Sequence, residues 1–150
     1  ARYRERIAKL IYLDAFFPLP GQSLFDIFGK KVSKSLLAMT EAFGKGWLLP
    51  FFDAYDGRLT DQPKQTGMEK IHYSENLFQT ISPVYIECTD KDPAWTFTPI
   101  LKRIAAERRN AGWDVRNFPS GHFPMNSRPA ELASFFHTLT GENGSLPGKA

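Results

Sequence analysis

The residues with the greatest capacity for chemistry are acids and a histidine that follow predicted strands. Asp14 ends the first strand, Asp90 and Asp92 follow the second, and His122 follows the third. In an open parallel sheet the carboxyl ends of the strands meet at one edge, where ligands bind. An acid at that edge would fix the tautomer of the imidazole, and the imidazole would take a proton from a nucleophile. The pattern therefore predicts the two supporting members of a nucleophilic triad.

Short apolar runs predict the strands that position these groups. Lys9–Leu13 is almost continuously apolar, and Pro83–Cys88 and Trp113–Phe118 have strand length as well. Apolar stripes followed by glycines predict helices at Pro99–Ala111 and Pro129–Leu139. Strands that alternate with helices imply an α/β fold with a parallel sheet and right-handed crossovers.

The middle of the chain predicts a helical insertion. Gln22–Ser82 shows no strand alternation, while Ser23–Phe28 and Lys31–Phe43 have the apolar spacing of helices. We predict four segments. Residues 1–21 contain the end of a helix and the first core strand, 22–82 form the helical insertion, 83–141 form the C-terminal α/β core, and 142–150 form a polar tail.

Composition excludes several classes of protein. The 150 residues carry 19 Lys and Arg against 16 Asp and Glu, a net charge of +3 that is too weak and too evenly spread to indicate nucleic-acid binding. The single cysteine, Cys88, rules out an internal disulfide framework and fits a cytoplasmic protein. No apolar run approaches the length of a membrane helix. We expect no membrane span, no metal and no cofactor.

Several motifs together resemble the C-terminal part of a small α/β-hydrolase, an esterase related to plant methyl esterases and hydroxynitrile lyases. The resemblance covers nearly the whole chain apart from the tail. It is carried by Arg4-Glu5-Arg6-Ile7-Ala8-Lys9-Leu10-Ile11-Tyr12-Leu13-Asp14-Ala15-Phe16, Pro20-Gly21-Gln22-Ser23, Thr89-Asp90-Lys91-Asp92-Pro93, Ser120-Gly121-His122-Phe123-Pro124-Met125 and Arg128-Pro129-Ala130-Glu131-Leu132-Ala133.

The resemblance implies a role for each acid and for the histidine. His122 matches the general base of the family, and Asp92 matches the triad acid because the pattern Thr-x-x-Asp places it at the last position. Asp90 is the fallback for that acid. Asp92 also has an alternative reading as the cap of a turn, since it precedes a proline. Asp14 matches an acidic position that borders the substrate pocket.

The resemblance also implies that the insertion is a cap over an apolar pocket. Its aromatic residues would form the wall of that pocket. An alternative is that these rings are only the core of the cap. The predicted pocket residues are Asp14, Phe16, Phe25, Phe28, Trp47 and Phe51.

The nucleophile of the family has no counterpart in the sequence. No serine stands in a G-x-S-x-G elbow, since Gly21-Gln22-Ser23-Leu24-Phe25 lacks the second glycine. Cys88 ends a buried strand and is predicted to be a small buried residue rather than a nucleophile. We expect the chain to be a fragment whose elbow and earlier strands lie upstream of Ala1.

The implied reaction is hydrolysis of a carboxylic ester or a similar small apolar acyl substrate, with no activity in this chain alone. One alternative is half of a split enzyme that docks with a separate N-terminal half. Another is a non-enzymatic remnant or interaction module that associates with itself through an exposed sheet edge. A lyase reaction on the same fold is a further alternative, because residues outside the motifs would decide it.

Overall fold

A parallel sheet positions the acids and the histidine, as the strand pattern predicts. The computed structural model describes residues 6–50, 59–74, 76 and 81–141. Its elements, in chain order, are β1 (Lys9–Leu13), α1 (Leu24–Phe43), β2 (Leu48–Leu49), β3 (Gln62–Pro63), α2 (Lys64–Met68), β4 (Ser82–Cys88), α3 (Thr98–Asn110), β5 (Asp114–Phe118), α4 (Pro124–Ser127) and α5 (Pro129–Gly141).

The three strands of the main sheet lie in the order β1-β4-β5. Both pairings are parallel, with Leu13 opposite Ile86 and Cys88 opposite Phe118. The fold is therefore α/β, with β4 at the centre of a parallel three-stranded sheet flanked by helices. The carboxyl ends of all three strands lie at the same edge.

The core of this part of the molecule forms on both faces of the sheet. Val84 and Ile86 pack with Phe118 and with Leu132 and Leu139 of α5. Tyr85 points to the opposite face, because side chains alternate along a strand, and it is fully buried. Helix α3 packs against β4 and β5 and buries its own apolar stripe. Each fully buried aliphatic side chain contributes roughly 1.5–3 kcal/mol through the hydrophobic effect.

The chain divides into two compact units, and the second overlaps the range of the predicted insertion without sharing its limits. One unit combines Ala1–Ala15 with Leu77–Ala150, and the other is Phe16–Asn76. The second unit thus begins before Gln22 and ends before Ser82, the predicted limits of the insertion. A short apolar segment after the first strand belongs to the second unit.

Within the second unit, Gly29 interrupts α1. Its φ of 77° and ψ of 164° lie outside the helical region, in a conformation that L side chains rarely adopt. The break separates the two segments for which the spacing predicts helices. The unit also contains an antiparallel pair of two-residue strands, β2 with β3, where helices alone were expected. Strands this short show no alternation in the sequence.

Across the described residues, no helix combines the length and the apolar character that crossing a bilayer requires.

Candidate functional site

Asp14 stands directly after β1, where the chain turns sharply. Its φ is 42°, in the left-handed region that aspartate tolerates better than most residues. Its N–H donates to the Ile86 carbonyl over 2.7 Å, so its backbone stays attached to β4. The residue is completely buried. A buried carboxylate is costly unless partners satisfy it, and the structure supplies them.

Three donors surround the carboxylate of Asp14. Oδ1 accepts the Cys88 N–H at 3.1 Å and the ammonium of Lys91 at 2.6 Å. Oδ2 lies 2.8 Å from Nδ1 of His122. Both oxygens are therefore engaged, one by backbone and lysine and the other by imidazole. Charge-assisted hydrogen bonds of this kind are stronger than bonds between neutral groups.

Lys91 is a buried cation beside that carboxylate. Its side chain is 1 % exposed, and its ammonium also donates to the carbonyl of Cys88, the last residue of β4. A buried ammonium without an anion would be strongly disfavoured, so the pair with Asp14 allows both charges to lie inside the protein.

His122 lies in a loop held against the end of the central strand. The Thr89 N–H donates to the Phe118 carbonyl, and the Asp90 N–H donates to the Ser120 carbonyl, each over 3.0 Å. These bonds join the segments that follow β4 and β5. They bring the histidine to the edge of the sheet at which β1 places Asp14.

Two aromatic rings flank the imidazole of His122. The ring centroid of Trp95 is 4.9 Å away and that of Phe123 is 4.7 Å away. The His122 side chain is 21 % exposed, in contrast to the fully buried carboxylate. The rings restrict the orientation of the imidazole while solvent or a ligand can still reach it.

The hydrogen bond to Asp14 indicates the tautomer of His122. An ionised carboxylate can only accept hydrogen bonds, so Nδ1 carries a proton. In the neutral imidazole the lone pair then resides on Nε2, the nitrogen that would act as a base. The arrangement can therefore receive a proton at Nε2 and stabilise the resulting imidazolium through Asp14.

The acid that contacts His122 is Asp14, and neither Asp92 nor Asp90 takes that place. The carboxylate of Asp92 is exposed and accepts the Ala94 N–H at 2.8 Å, while its carbonyl accepts the Thr98 hydroxyl at 2.7 Å. It caps a turn, which is the alternative reading of this residue. Asp90, the fallback, is also exposed and accepts the Thr89 hydroxyl. Asp14, expected only to border a pocket, holds the imidazole.

A physical reason for this correction lies in the loop after β4. Between the two aspartates stands Lys91, whose side chain turns into the protein while both acids face solvent. The signal that could have identified Asp14 was its place between an apolar strand and Ala15-Phe16-Phe17, because an acid among such residues is buried and needs a partner.

Cys88 is buried as predicted, and burial governs its chemistry. Desolvation, with a smaller contribution from the neighbouring Asp14, raises the pKa of the thiol to about 12. The thiol is therefore protonated at neutral pH, and a protonated thiol is a poor nucleophile. Its backbone N–H, rather than its sulfur, serves the site by donating to Asp14.

The predicted pocket residues belong to the second unit, apart from Asp14. Phe25 and Phe28 are buried there with ring centroids 6.2 Å apart, and Phe16 contacts Phe28 edge-on. They form part of the core of that unit. Trp47 is 54 % exposed. Phe51 lies outside the described residues.

An open groove of about 500 Å³ runs along β5 and α5, lined by Phe118, Phe135 and Glu131 among others. None of the residues of the Asp14–His122 site lines it. In the part of the chain that the structure describes, no group of three or more potential ligands is arranged to hold a metal ion.

Comparisons with known proteins assign no role to these residues. Neither the family models nor the curated proteins match this chain.

Proposed function

We propose that this chain supplies the general base and the orienting acid of an ester hydrolase of the α/β-hydrolase type. His122 is the base and Asp14 is the acid. The observation that carries the proposal is the 2.8 Å contact between Oδ2 of the buried Asp14 and Nδ1 of the half-buried His122. The parallel order of the strands and the resemblance of the surrounding motifs support it.

The chemistry follows from the charges. A serine hydroxyl attacks the carbonyl of a small apolar ester and transfers its proton to Nε2 of His122. Asp14 stabilises the imidazolium that results and keeps Nδ1 protonated throughout. The imidazolium then returns the proton to the leaving alcohol, and water repeats the sequence to release the acid. General base catalysis of this kind contributes about 10²- to 10⁴-fold in rate.

The attacking serine is the part that this sequence does not supply. None of its serines has the glycine spacing of an elbow. Ser120, the serine closest in sequence to His122, is buried and shares a hydrogen bond with the Ser127 hydroxyl. We therefore propose that the 150 residues alone do not hydrolyse esters, and that the serine comes from another polypeptide segment.

The first experiment measures hydrolysis of p-nitrophenyl butyrate by the purified chain. The expected rate equals that of His122→Ala within error. Turnover that disappears in His122→Ala would contradict the absence of activity in the chain alone.

The second experiment tests the base directly. The tagged chain is incubated with an extract of its source organism, and a fluorophosphonate probe labels activated serines in the recovered complex. We expect a labelled serine on a segment other than the 150 residues of this chain, with labelling reduced about 100-fold or more by His122→Ala. His137→Ala is the matched control, because His137 is exposed on α5. Labelling that is as strong in His122→Ala as in the wild type, or that is absent from the wild type, would overturn the proposal.

The edge strand β1 favours one place for that second polypeptide. It pairs with β4 on one side, and all five of its residues are only half-buried although most are apolar. Parallel strands are normally covered by neighbours and helices. A parallel strand from the segment that carries the serine would complete this edge.

The second candidate function, a self-associating module without enzymatic activity, uses the same edge. Analytical ultracentrifugation of the purified chain separates the two. A monomer that forms a complex only with the serine-bearing polypeptide agrees with the hydrolase proposal. A stable dimer that protects the amides of Lys9–Leu13 from hydrogen exchange favours the module.

A further inference from the structure

Lys91 has no part in the reaction described above, yet its burial is extreme for a lysine. Lysine is almost never fully buried without a partner. Its ammonium contacts Oδ1 of Asp14, the oxygen that His122 does not use, and the carbonyl of Cys88. The cation is thereby anchored to the end of the central strand. The ammonium thus contacts Asp14 on the carboxylate oxygen that is not bonded to His122.

We propose that Lys91 is a positioning residue that supplies the counter-charge of Asp14 and so leaves His122 neutral, ready to accept a proton. This inference rests on the proposed role of His122 as a base. Lys91 acts through Asp14 and does not touch the reacting atoms.

The balance of charge inside the protein gives Lys91 this role. A buried carboxylate attracts a cation because water cannot stabilise it. If Asp14 faced only uncharged donors and His122, the imidazole would be the group available to take up a proton and provide that charge. An imidazolium has no lone pair and cannot act as a base. Lys91 provides the positive charge instead, 2.6 Å from Oδ1.

Geometry adds a second effect. The Cys88 N–H and the Lys91 ammonium both hold Oδ1, which fixes the rotation of the carboxylate. Oδ2 is then directed towards Nδ1 of His122. Loss of the ammonium would leave the Cys88 N–H as the donor on Oδ1 and would make the bond between Oδ2 and His122 the main charge-assisted contact of the carboxylate.

The test is the protonation state of His122, measured by nitrogen-15 NMR on the full chain labelled in histidine at pH 7. In the wild type we expect a proton on Nδ1 and an unprotonated Nε2. In Lys91→Met we expect both nitrogens to carry protons, with the doubly protonated fraction increased at least tenfold. Exposed His72 and His137 act as internal references, and His122→Gln assigns the signals.

Further variants separate charge from structure. Lys91→Gln keeps an N–H donor for Asp14 but removes the charge, so it should give the same doubly protonated His122 and should fold where Lys91→Met does not. Lys91→Met combined with Asp14→Asn removes both charges and should return the imidazole to its neutral form. Lys102→Met, at an exposed lysine of α3, should change nothing.

A His122 that stays singly protonated in Lys91→Gln, or that is doubly protonated in the wild type, overturns the inference. The readout needs no substrate and no second polypeptide. Serine labelling that depends on His122 combined with an unchanged NMR spectrum in Lys91→Gln would refute the role of Lys91 alone. The expected NMR result combined with absent labelling would refute the proposed function alone.

Discussion

Asp14 and His122 are 108 positions apart in the chain, and their side chains meet at 2.8 Å. The parallel sheet brings them together, since one residue follows β1 and the other follows β5 with β4 between them. The carboxylate reaches across the end of the central strand, where the backbone of Cys88 and the ammonium of Lys91 hold it. The pair is thus supported by every strand of the sheet.

The first prediction compares the two acids. Asp14→Asn leaves the buried Lys91 without its anion, so we expect the free energy of unfolding to fall by about 3–5 kcal/mol. Asp92→Asn keeps an oxygen that can accept the Ala94 N–H at the surface, and we expect a change within about 0.5 kcal/mol. Urea unfolding at pH 7 measures both. Equal losses in the two variants would contradict the assignment of the acid to Asp14.

The second prediction concerns the reactivity of Cys88. Its thiol is buried, and its pKa is raised to about 12, so little thiolate exists at neutral pH. We expect iodoacetamide to leave the native protein unmodified at pH 8 and to label the thiol fully in denaturant. Mass spectrometry after timed exposure checks this. Rapid labelling of the folded chain would show that the thiol is accessible.

The third prediction gives the pH dependence that the same thiol imposes. In the unfolded chain the thiol ionises near its ordinary pKa of 9.0, whereas in the native state it stays protonated to about 12. Its contribution to stability is therefore complete below pH 9 and is lost as pH rises towards 12. The free energy of unfolding should fall by up to about 1.4 kcal/mol per pH unit in this window.

The comparison for this third prediction is Cys88→Ala. Between pH 9 and 10 the slope of stability against pH should become smaller in this variant. At higher pH the buried phenol of Tyr85 and the half-buried phenol of Tyr12, whose pKa values desolvation also raises, contribute to the slope. An identical slope in wild type and variant would refute the prediction.

The fourth prediction uses the break in α1. Gly29→Ala forces a Cβ into a backbone conformation almost restricted to glycine, and it should destabilise the second unit by about 1–3 kcal/mol. Gly141→Ala is the control, since that glycine ends α5 and a Cβ there meets nothing within 4 Å. We expect the control to be neutral or slightly stabilising. Hydrogen exchange of the α1 amides reports the difference.

The fifth prediction concerns the start of α1, where a capping box forms between Ser23 and Asp26. The Ser23 backbone N–H and then its hydroxyl lower the pKa of the Asp26 carboxyl. That contribution to stability is therefore present above the ordinary pKa of 3.8 and is lost as pH falls below it. Amide protection in α1 should hold from pH 7 to 5 and weaken below pH 4.

Ser23→Ala tests the same cap at neutral pH. Loss of an N-cap serine costs about 1 kcal/mol of helix stability, so protection of the first turn should fall while that of α3 is unchanged. The acid sensitivity of α1 should also become smaller. A first turn protected as well as in the wild type would contradict the role of the cap.

Strands β1 and β4 could be predicted from the sequence because each is a short, mostly apolar run, whereas β5 has strand length but carries Asp114, Arg116 and Asn117 at exposed positions. Lys9–Leu13 has the predicted limits, and β4 and β5 differ from prediction by a single residue at their starts. Burial on both faces of a parallel sheet leaves this continuous pattern in the sequence. No sequence pattern predicts the short α4, because its residues after Pro124 carry no apolar period.

Which acid contacts His122 was not accessible by the same reasoning. Chain order places Asp90 and Asp92 closer to the histidine, since they follow the central strand. Which side chain of a loop turns inwards depends on local hydrogen bonds, such as that between Asp92 and Ala94, and on the charge that the interior requires. Lys91 meets that requirement, and no periodicity in the sequence reports it.

The contact between the rings of Trp95 and His122 has an optical consequence. An imidazolium quenches the emission of an adjacent indole far more than a neutral imidazole does, so the fluorescence of Trp95 should follow the charge on His122. Replacing Trp47 and Trp113 with phenylalanine would leave a single emitting indole beside the histidine. The protein would then carry its own indicator of the proton that the proposed reaction moves.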